Sequence, residues 1–254
     1  MFVRQEMSKT NGFRFKQFFV AHHKCAMKVG FDAVMLGAWA AIPEKTANVL
    51  DIGTGSGVIA LMLAQRTPET VNIYGIELDE EASGQAVENA AQSPWANRIK
   101  ILQGDFNHFS AIKNTYSLPL QFEVIVSNPP FYENHLLPPG EKRNLARHAG
   151  RLSYVQLLKG VSELLAPEGL FSVILPHQQA QSFRQSAAGL YGLFCHRATS
   201  LRQAPGKPVI RQLLQFGWEK PEFTEELTLD TGGTHPSTFS DACKQLTKEF
   251  YLDL

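Results

Sequence analysis

Four consecutive residues, Asn128-Pro129-Pro130-Phe131, suit chemistry at a planar amine. An amine conjugated to a ring or a carbonyl is a poor nucleophile. Attack through it calls for two acceptors for its N–H bonds and a flat surface behind its plane. The Asn128 side-chain oxygen and the Pro129 carbonyl supply the acceptors, two locked φ angles hold them in place, and Phe131 offers a ring for stacking. The same residues also suit a strand that simply ends in a Pro-rich turn, because Asn-Pro commonly initiates turns.

The elements that would position this group are legible around it. The run Phe122 to Ser127 reads as a buried strand leading into Asn128. Upstream, Val49 to Leu61 reads as a buried strand, a glycine turn (Gly53, Gly55, Gly57) and the start of a helix. Alternate glycines let backbone pass close to a ligand, and the helix that follows points free N–H groups into the same space. A dinucleotide fingerprint wants its third glycine where Val58 stands, so a pyrophosphate site is disfavoured. No Gly-Lys-Ser or Gly-Lys-Thr follows the turn, which leaves triphosphate chemistry without its lysine. The next strand, Val71 to Glu77, ends in a carboxylate suited to ribose hydroxyls, and Ile99 to Asp105 ends in one suited to the exocyclic amine of an adenine. Either acid could instead cap the helix behind it.

In this order the motifs resemble those of S-adenosylmethionine-dependent methyltransferases of the Rossmann-like type, where an Asn/Asp-Pro-Pro-aromatic motif after the fourth strand marks amino-group methylation. The segments Phe15 to His22, Cys25 to Gly30 and Leu36 to Trp39, with the ending Phe250-Tyr251-Leu252, are similar more narrowly to the bacterial tRNA adenine-N6 methyltransferase family. The resemblance spans nearly the whole chain. It implies an α/β fold of the class I methyltransferase kind, with a mostly parallel seven-stranded sheet, an antiparallel C-terminal hairpin and helices on both faces. It implies S-adenosyl-L-methionine as cofactor and methyl transfer to N6 of the adenine immediately 3′ of the anticodon in valine tRNA. Carried over by position, it puts Lys28 and Gly30 beside the methionine end of the cofactor, Asp51, Gly53, Gly55 and Gly57 around its centre, and Glu77 and Asp105 at the ribose and adenine. Asn128, Pro129 and Phe131 become the catalytic clamp on the target base, with Asn128 also bordering the cofactor. Two positions depart from the pattern: Phe31 stands where relatives often have Thr before Asp32, and Ala149 follows Arg147-His148 where a polar residue is frequent.

With 254 residues and no Gly/Ser-rich or charged linker, the chain fits a single methyltransferase domain, residues 1–254, in which 1–45 form an N-terminal extension. Ser153 to Leu165 and Gln178 to Leu190 have helical apolar spacing, and Gly169 to Leu175 reads as a buried strand between them. Leu193 to Ser200 and Pro208 to Trp218 flank a Pro-Gly turn and should pair as an antiparallel hairpin at one sheet edge. Cys25, Cys195 and Cys243 lack metal-ligand spacing, and His22-His23 is adjacent rather than at i, i+4, so no metal is expected. There is no secretory leader and no apolar run long enough to span a bilayer, which makes the cytoplasm the expected location; a monomer is the expected state.

Formal net charge is zero, yet residues 141–220 carry 11 Lys/Arg against 4 Asp/Glu. Arg143, Arg147 and Arg151 recur at helical spacing behind the Asn-Pro-Pro-Phe loop, and Arg197, Arg202, Lys207 and Arg211 line the expected hairpin. The N-terminal stretch interleaves Arg4, Lys9, Arg14, Lys16, Lys24 and Lys28 with Phe13, Phe15, Phe18 and Phe19, a pattern suited to single-stranded loop RNA through charge and stacking, with Phe18 and Phe19 equally suited to the core. Lys24, Arg143, Arg147, Arg151 and Lys207 are the candidate RNA contacts, and a plain solvated basic face is the competing reading. Methyltransferases for ribosomal RNA guanine N2, DNA adenine or protein glutamine share the Asn-Pro-Pro motif and stay open on the residues alone. So do a nicotinamide-dependent oxidoreductase and an RNA-binding module that lost its chemistry.

Overall fold

The computed structural model of the chain describes residues 11–130 and 152–252. Two short strands, β1 (Gly12–Arg14) and β2 (Phe19–Ala21), pair as a hairpin ahead of the main sheet. The body then alternates α1 (Phe31–Trp39), β3 (Asn48–Ile52), α2 (Val58–Arg66), β4 (Asn72–Glu77), α3 (Glu80–Ala91), β5 (Ile99–Gln103), α4 (Phe109–Tyr116) and β6 (Phe122–Ser127). After the undescribed stretch come α5 (Tyr154–Leu164), β7 (Leu165–Pro176), α6 (His177–Tyr191), β8 (Phe194–Arg202), β9 (Val209–Gly217), β10 (Glu225–Asp230) and α7 (Asp241–Thr247).

The strands form one eight-stranded sheet in the order β10-β8-β9-β7-β6-β3-β4-β5. Strand β9 runs antiparallel to both its neighbours and every other pairing is parallel. Parallel strands buried on both faces read as continuous apolar runs, and their residues divide by alternation between two cores. Val49, Val124, Val126, Ile174 and Leu213 face α1, α2 and α7, whereas Leu50, Ile125, Val173, Leu175 and Leu214 face α5 and α6.

Local chemistry sets the helix starts. Asp79 caps α3 by accepting from Ala82 N–H at 2.8 Å, and Ser153 with Gln156 forms a reciprocal capping box on α5. Gly192 stops α6 in the left-handed conformation.

Three expectations change. The sheet has an eighth strand: β10 pairs parallel to β8 from Glu225↔Arg197 to Asp230↔Arg202. The β8–β9 hairpin is therefore not at the edge; β9 lies inside, between β7 and β8, and β10 covers β8. Strand β10 is largely exposed, and Glu225, Glu226 and Asp230 make a charged edge that discourages further strand pairing. Among the N-terminal aromatics, Phe15 and Phe18 are core residues, stacked on each other at 4.6 Å, which removes them from any RNA-stacking surface. Phe31 packs edge-on against Phe239, which meets Tyr251, which in turn meets Phe13 and Phe15; the departure at Phe31 thus serves a ring chain joining the two ends of the molecule.

Candidate active site

The parallel register builds the site. Ile52 lies opposite Ser127 on β6 and Ile76 on β4, and Glu77 lies opposite Gln103 on β5. One step further along each strand therefore puts Asn128, Gly53 and Glu77 level on the carboxyl edge of the sheet, across about 10 Å of adjacent strands. Ser127 Oγ donates to Ile52 O at 2.9 Å, pinning β6 to β3 just before Asn128. Asn128 is half-buried, Pro129 buried and Pro130 exposed. Phe131, the last member of the clamp, lies outside the described residues, as do Arg143, Arg147, Ala149 and Arg151.

The glycine turn crosses the next strand's end. Gly53 and Thr54 N–H both donate to Ile76 O, at 2.9 and 3.0 Å. Gly53, Gly55 and Gly57 have φ of 71°, 55° and 81°, the left-handed region in which a side chain is strained. A Cβ on Gly53 or Gly55 would meet nothing within 4 Å, so open space stands over the turn where a cofactor would lie. Gly57 begins α2 with no side-chain cap, and its own Cβ would press on Ala86.

Asp51 lies fully buried beneath that turn. Thr54 Oγ1 donates to its Oδ2 at 2.6 Å, and Oδ1 has no hydrogen-bond partner among the described residues. Burial chiefly, with a smaller push from the Glu77 charge, raises its pKa from 3.8 to about 7. A buried acid with one oxygen left without a partner among the described residues fits a cationic ligand above it. Glu77 accepts from Gly55 N–H at 2.8 Å and Asp79 N–H at 3.0 Å, which fixes both oxygens at the edge while leaving further lone pairs for hydroxyl donors. Asp105 caps a short 3-10 turn, accepting from the backbone and side chain of Asn107 at 2.9 Å each, the capping role open to an acid behind a strand. Gly30 precedes α1 in extended conformation, and Lys28 is exposed beside it.

The basic residues divide. Lys24 bridges Glu88 at 2.5 Å with both side chains well exposed, a pairing that contributes little. Arg202 is bound to Asp230, Arg211 to Asp32 at 2.8 Å, and Arg197 lies over the Trp39 ring at 3.8 Å while donating to Trp39 O. Lys207 stays exposed at the hairpin tip, with no ion pair among the described residues. Of the basic residues on the hairpin, Arg197, Arg202 and Arg211 thus brace neighbouring elements. Among the described residues no group of three His, Cys, Asp or Glu side chains could hold a metal, and no helix is long and apolar enough to cross a membrane. Sequence reading missed Asn89 and the bonding of His22; a polar Asn inside an Ala-rich helix was the available signal.

Comparison with known proteins agrees with this geometry. The family model of the methyltransferase small domain matches residues 35–180. A tRNA1(Val) (adenine(37)-N6)-methyltransferase of Bacteroides fragilis strain YCH46 is 44% identical over 242 residues, covering 95% of this chain and 98% of that one. A protein of the same name from Photorhabdus laumondii is 43% identical over 251 residues, covering 98% of each. Among solved structures, a predicted O-methyltransferase from Agrobacterium tumefaciens superposes with a TM-score of 0.63 at 19% identity over 86% of this chain and 96% of that one, a likeness of fold alone. With identity of this order running from end to end, and the small-domain match spanning the glycine turn and the Asn-Pro-Pro edge, the chain belongs to the tRNA1(Val) (adenine(37)-N6)-methyltransferase family.

Proposed function

We propose that the carboxyl edge of the sheet binds S-adenosylmethionine and presents to it the N6 amine of the adenine 3′ of the anticodon in valine tRNA. The observation that carries this is the register that sets Asn128 level with the glycine turn and Glu77, the amine clamp beside the cofactor cradle.

The residues fit the cofactor. Gly53 and Gly55 leave the space above the turn clear, Glu77 offers acceptors to ribose hydroxyls and Asp105 to the adenine amine. Asp51 provides negative charge below the turn, and Lys28 and Gly30 border the methionine end. When bound, the cofactor supplies a sulfonium methyl open to attack. The protein then has to hold a weak nucleophile in line. Asn128 Oδ1 and the Pro129 carbonyl accept the two N–H bonds, which turns the nitrogen lone pair out of conjugation, and the Phe131 ring backs the base. A cofactor held there would supply the methyl group and, in its sulfur, the leaving group for the carbon–sulfur electron pair, while Asn128 Oδ1 and the Pro129 carbonyl would hold the amine in line and lead its surplus proton toward water. Positioning of this kind accounts for up to about 7–11 kcal/mol of barrier in general. An unpaired loop adenine is the cheapest to extrude.

For the RNA, Lys207 at the hairpin tip and Lys24 are the described candidates, joined by Arg143, Arg147 and Arg151 from the sequence. Residues 1–45 act within the one domain as an extension serving cofactor and RNA. A cytoplasmic monomer suits this role. The test is transfer of labelled methyl to a panel of unmodified tRNA, ribosomal RNA, DNA and protein; label in tRNA supports the reading, and label confined to another acceptor overturns the substrate while keeping the clamp.

A further inference from the structure

Segment 22–30 joins β2 to α1, and the charges of Glu77 and Asp79 act on Cys25 within it. Two polar side chains hold it. Asn89, on α3 and 3% exposed, accepts from Ala21 N–H at 2.9 Å and donates to Ala21 O and to Ser56 O at 2.8 Å each. One amide thus ties the start of the segment to the glycine turn itself. His22, 8% exposed, accepts the Val29 N–H on Nδ1 at 3.2 Å, while its carbonyl accepts from Cys25 N–H at 3.3 Å. The segment is closed into a loop whose far end is Lys28 to Gly30. Asn costs a helix several tenths of a kcal/mol relative to Ala, so its place inside α3 is explained by these bonds rather than by the helix.

We propose that Asn89 and His22 are positioning residues that make segment 22–30 a fixed wall of the cofactor site, Asn89 locking its start to the glycine turn and the neutral His22 ring closing it at Val29. The inference rests on the functional reading above for the identity of the ligand.

An imidazole that accepts at Nδ1 carries its proton at Nε2, and a second proton removes the acceptor. Burial first, then Lys28 and His23, lower the pKa of His22 below 6.5. Those two are the charges that act on the ring. From the packed elements around it, Glu88 on α3 is taken by Lys24, and the charges of Glu77 at the end of β4 and of Asp79 at the start of α3 act on Cys25. The closed segment is therefore complete above pH 6.5 and weakens as pH falls below it.

The test measures S-adenosylmethionine affinity by calorimetry, and Val29 amide exchange in the cofactor-free chain, for the parent, His22→Ala, His22→Asn and Asn89→Ala. At pH 7.5, His22→Ala should bind the cofactor about tenfold more weakly and exchange Val29 faster, the loss of one acceptor for a part-buried amide. His22→Asn keeps an acceptor near Nδ1 that cannot be protonated. It should bind like the parent and lose the weakening below pH 6.5. Asn89→Ala should weaken binding and also free Ala21; if it fails to fold, the His22→Asn pH profile decides. Parent-like exchange and affinity in His22→Ala, or an acid-side weakening that persists in His22→Asn, would overturn the inference. A parent chain that binds no S-adenosylmethionine while Val29 stays protected would instead overturn the functional reading, and the wall's purpose with it.

Discussion

Replacing Asp51 by Asn tests the electrostatics under the glycine turn. The carboxyl is fully buried, one oxygen is unpaired, and its pKa stands at about 7 against an ordinary 3.8. Below pH 4 the group is neutral in both folded and unfolded chains and costs nothing. Between about 4 and 7 the unfolded chain ionises while the folded one holds its proton, so the parent loses stability as pH rises, by about 1.4 kcal/mol per pH unit. Above 7 both are ionised and the loss levels off, at up to about 4 kcal/mol. The amide of the Asp51→Asn variant retains an acceptor for the Thr54 hydroxyl and does not titrate. Its new N–H donor adds a constant cost, so the slope is the informative quantity rather than the height. Urea denaturation of the cofactor-free parent and Asp51→Asn at pH 5, 6, 7 and 8 should show a stability difference that swings in favour of the variant by about 2–3 kcal/mol from pH 5 to 7 and then flattens. A difference that stays constant with pH would refute the buried carboxyl with its raised pKa as described.

Asn128→Ala should bind cofactor almost as the parent does and lose kcat by about a hundredfold or more, the usual cost of a preorganised polar contact; single-turnover kinetics with saturating cofactor checks it. Gly55→Ala places a Cβ at φ 55° in the space left for the cofactor, so calorimetry should show a larger loss of affinity than the roughly 1–2 kcal/mol that left-handed strain takes from stability by denaturation. Lys207→Ala should raise KM for tRNA and reduce the salt slope of binding by about one, without changing the melting temperature. Arg197→Ala, by contrast, removes the cation over Trp39 and the donor to Trp39 O, and should lower the melting temperature with little effect on the salt slope.

Strands β3, β4 and β6 were legible in the sequence because their residues are mostly buried and each leads into a distinctive residue, and edge strand β5, with Lys100 and Gln103 exposed, was legible from its Ile-Lys-Ile-Leu alternation and the Gly-Asp behind it. Strand β10 was not, since Glu225-Glu226-Leu227-Thr228-Leu229-Asp230 is exposed and lacks the apolar run that marks the others. It is a strand because β8 offers it an open edge, a tertiary fact. The count of arginines pointed to a basic track, but charge along a sequence does not reveal which cations are bound to Asp32, Asp230 or an indole ring. Asn89 and His22 act across 68 and 7 residues of chain, and the longer of these bonds has no signature in spacing.

The most direct test of the account is mass spectrometry of the nucleosides from tRNA that lacks the modification, incubated with methyl-labelled S-adenosylmethionine and the parent chain or Asn128→Ala. The account predicts label in N6-methyladenosine from valine tRNA with the parent and almost none with the variant. Label at another atom or in another acceptor, or equal label with Asn128→Ala, would contradict it.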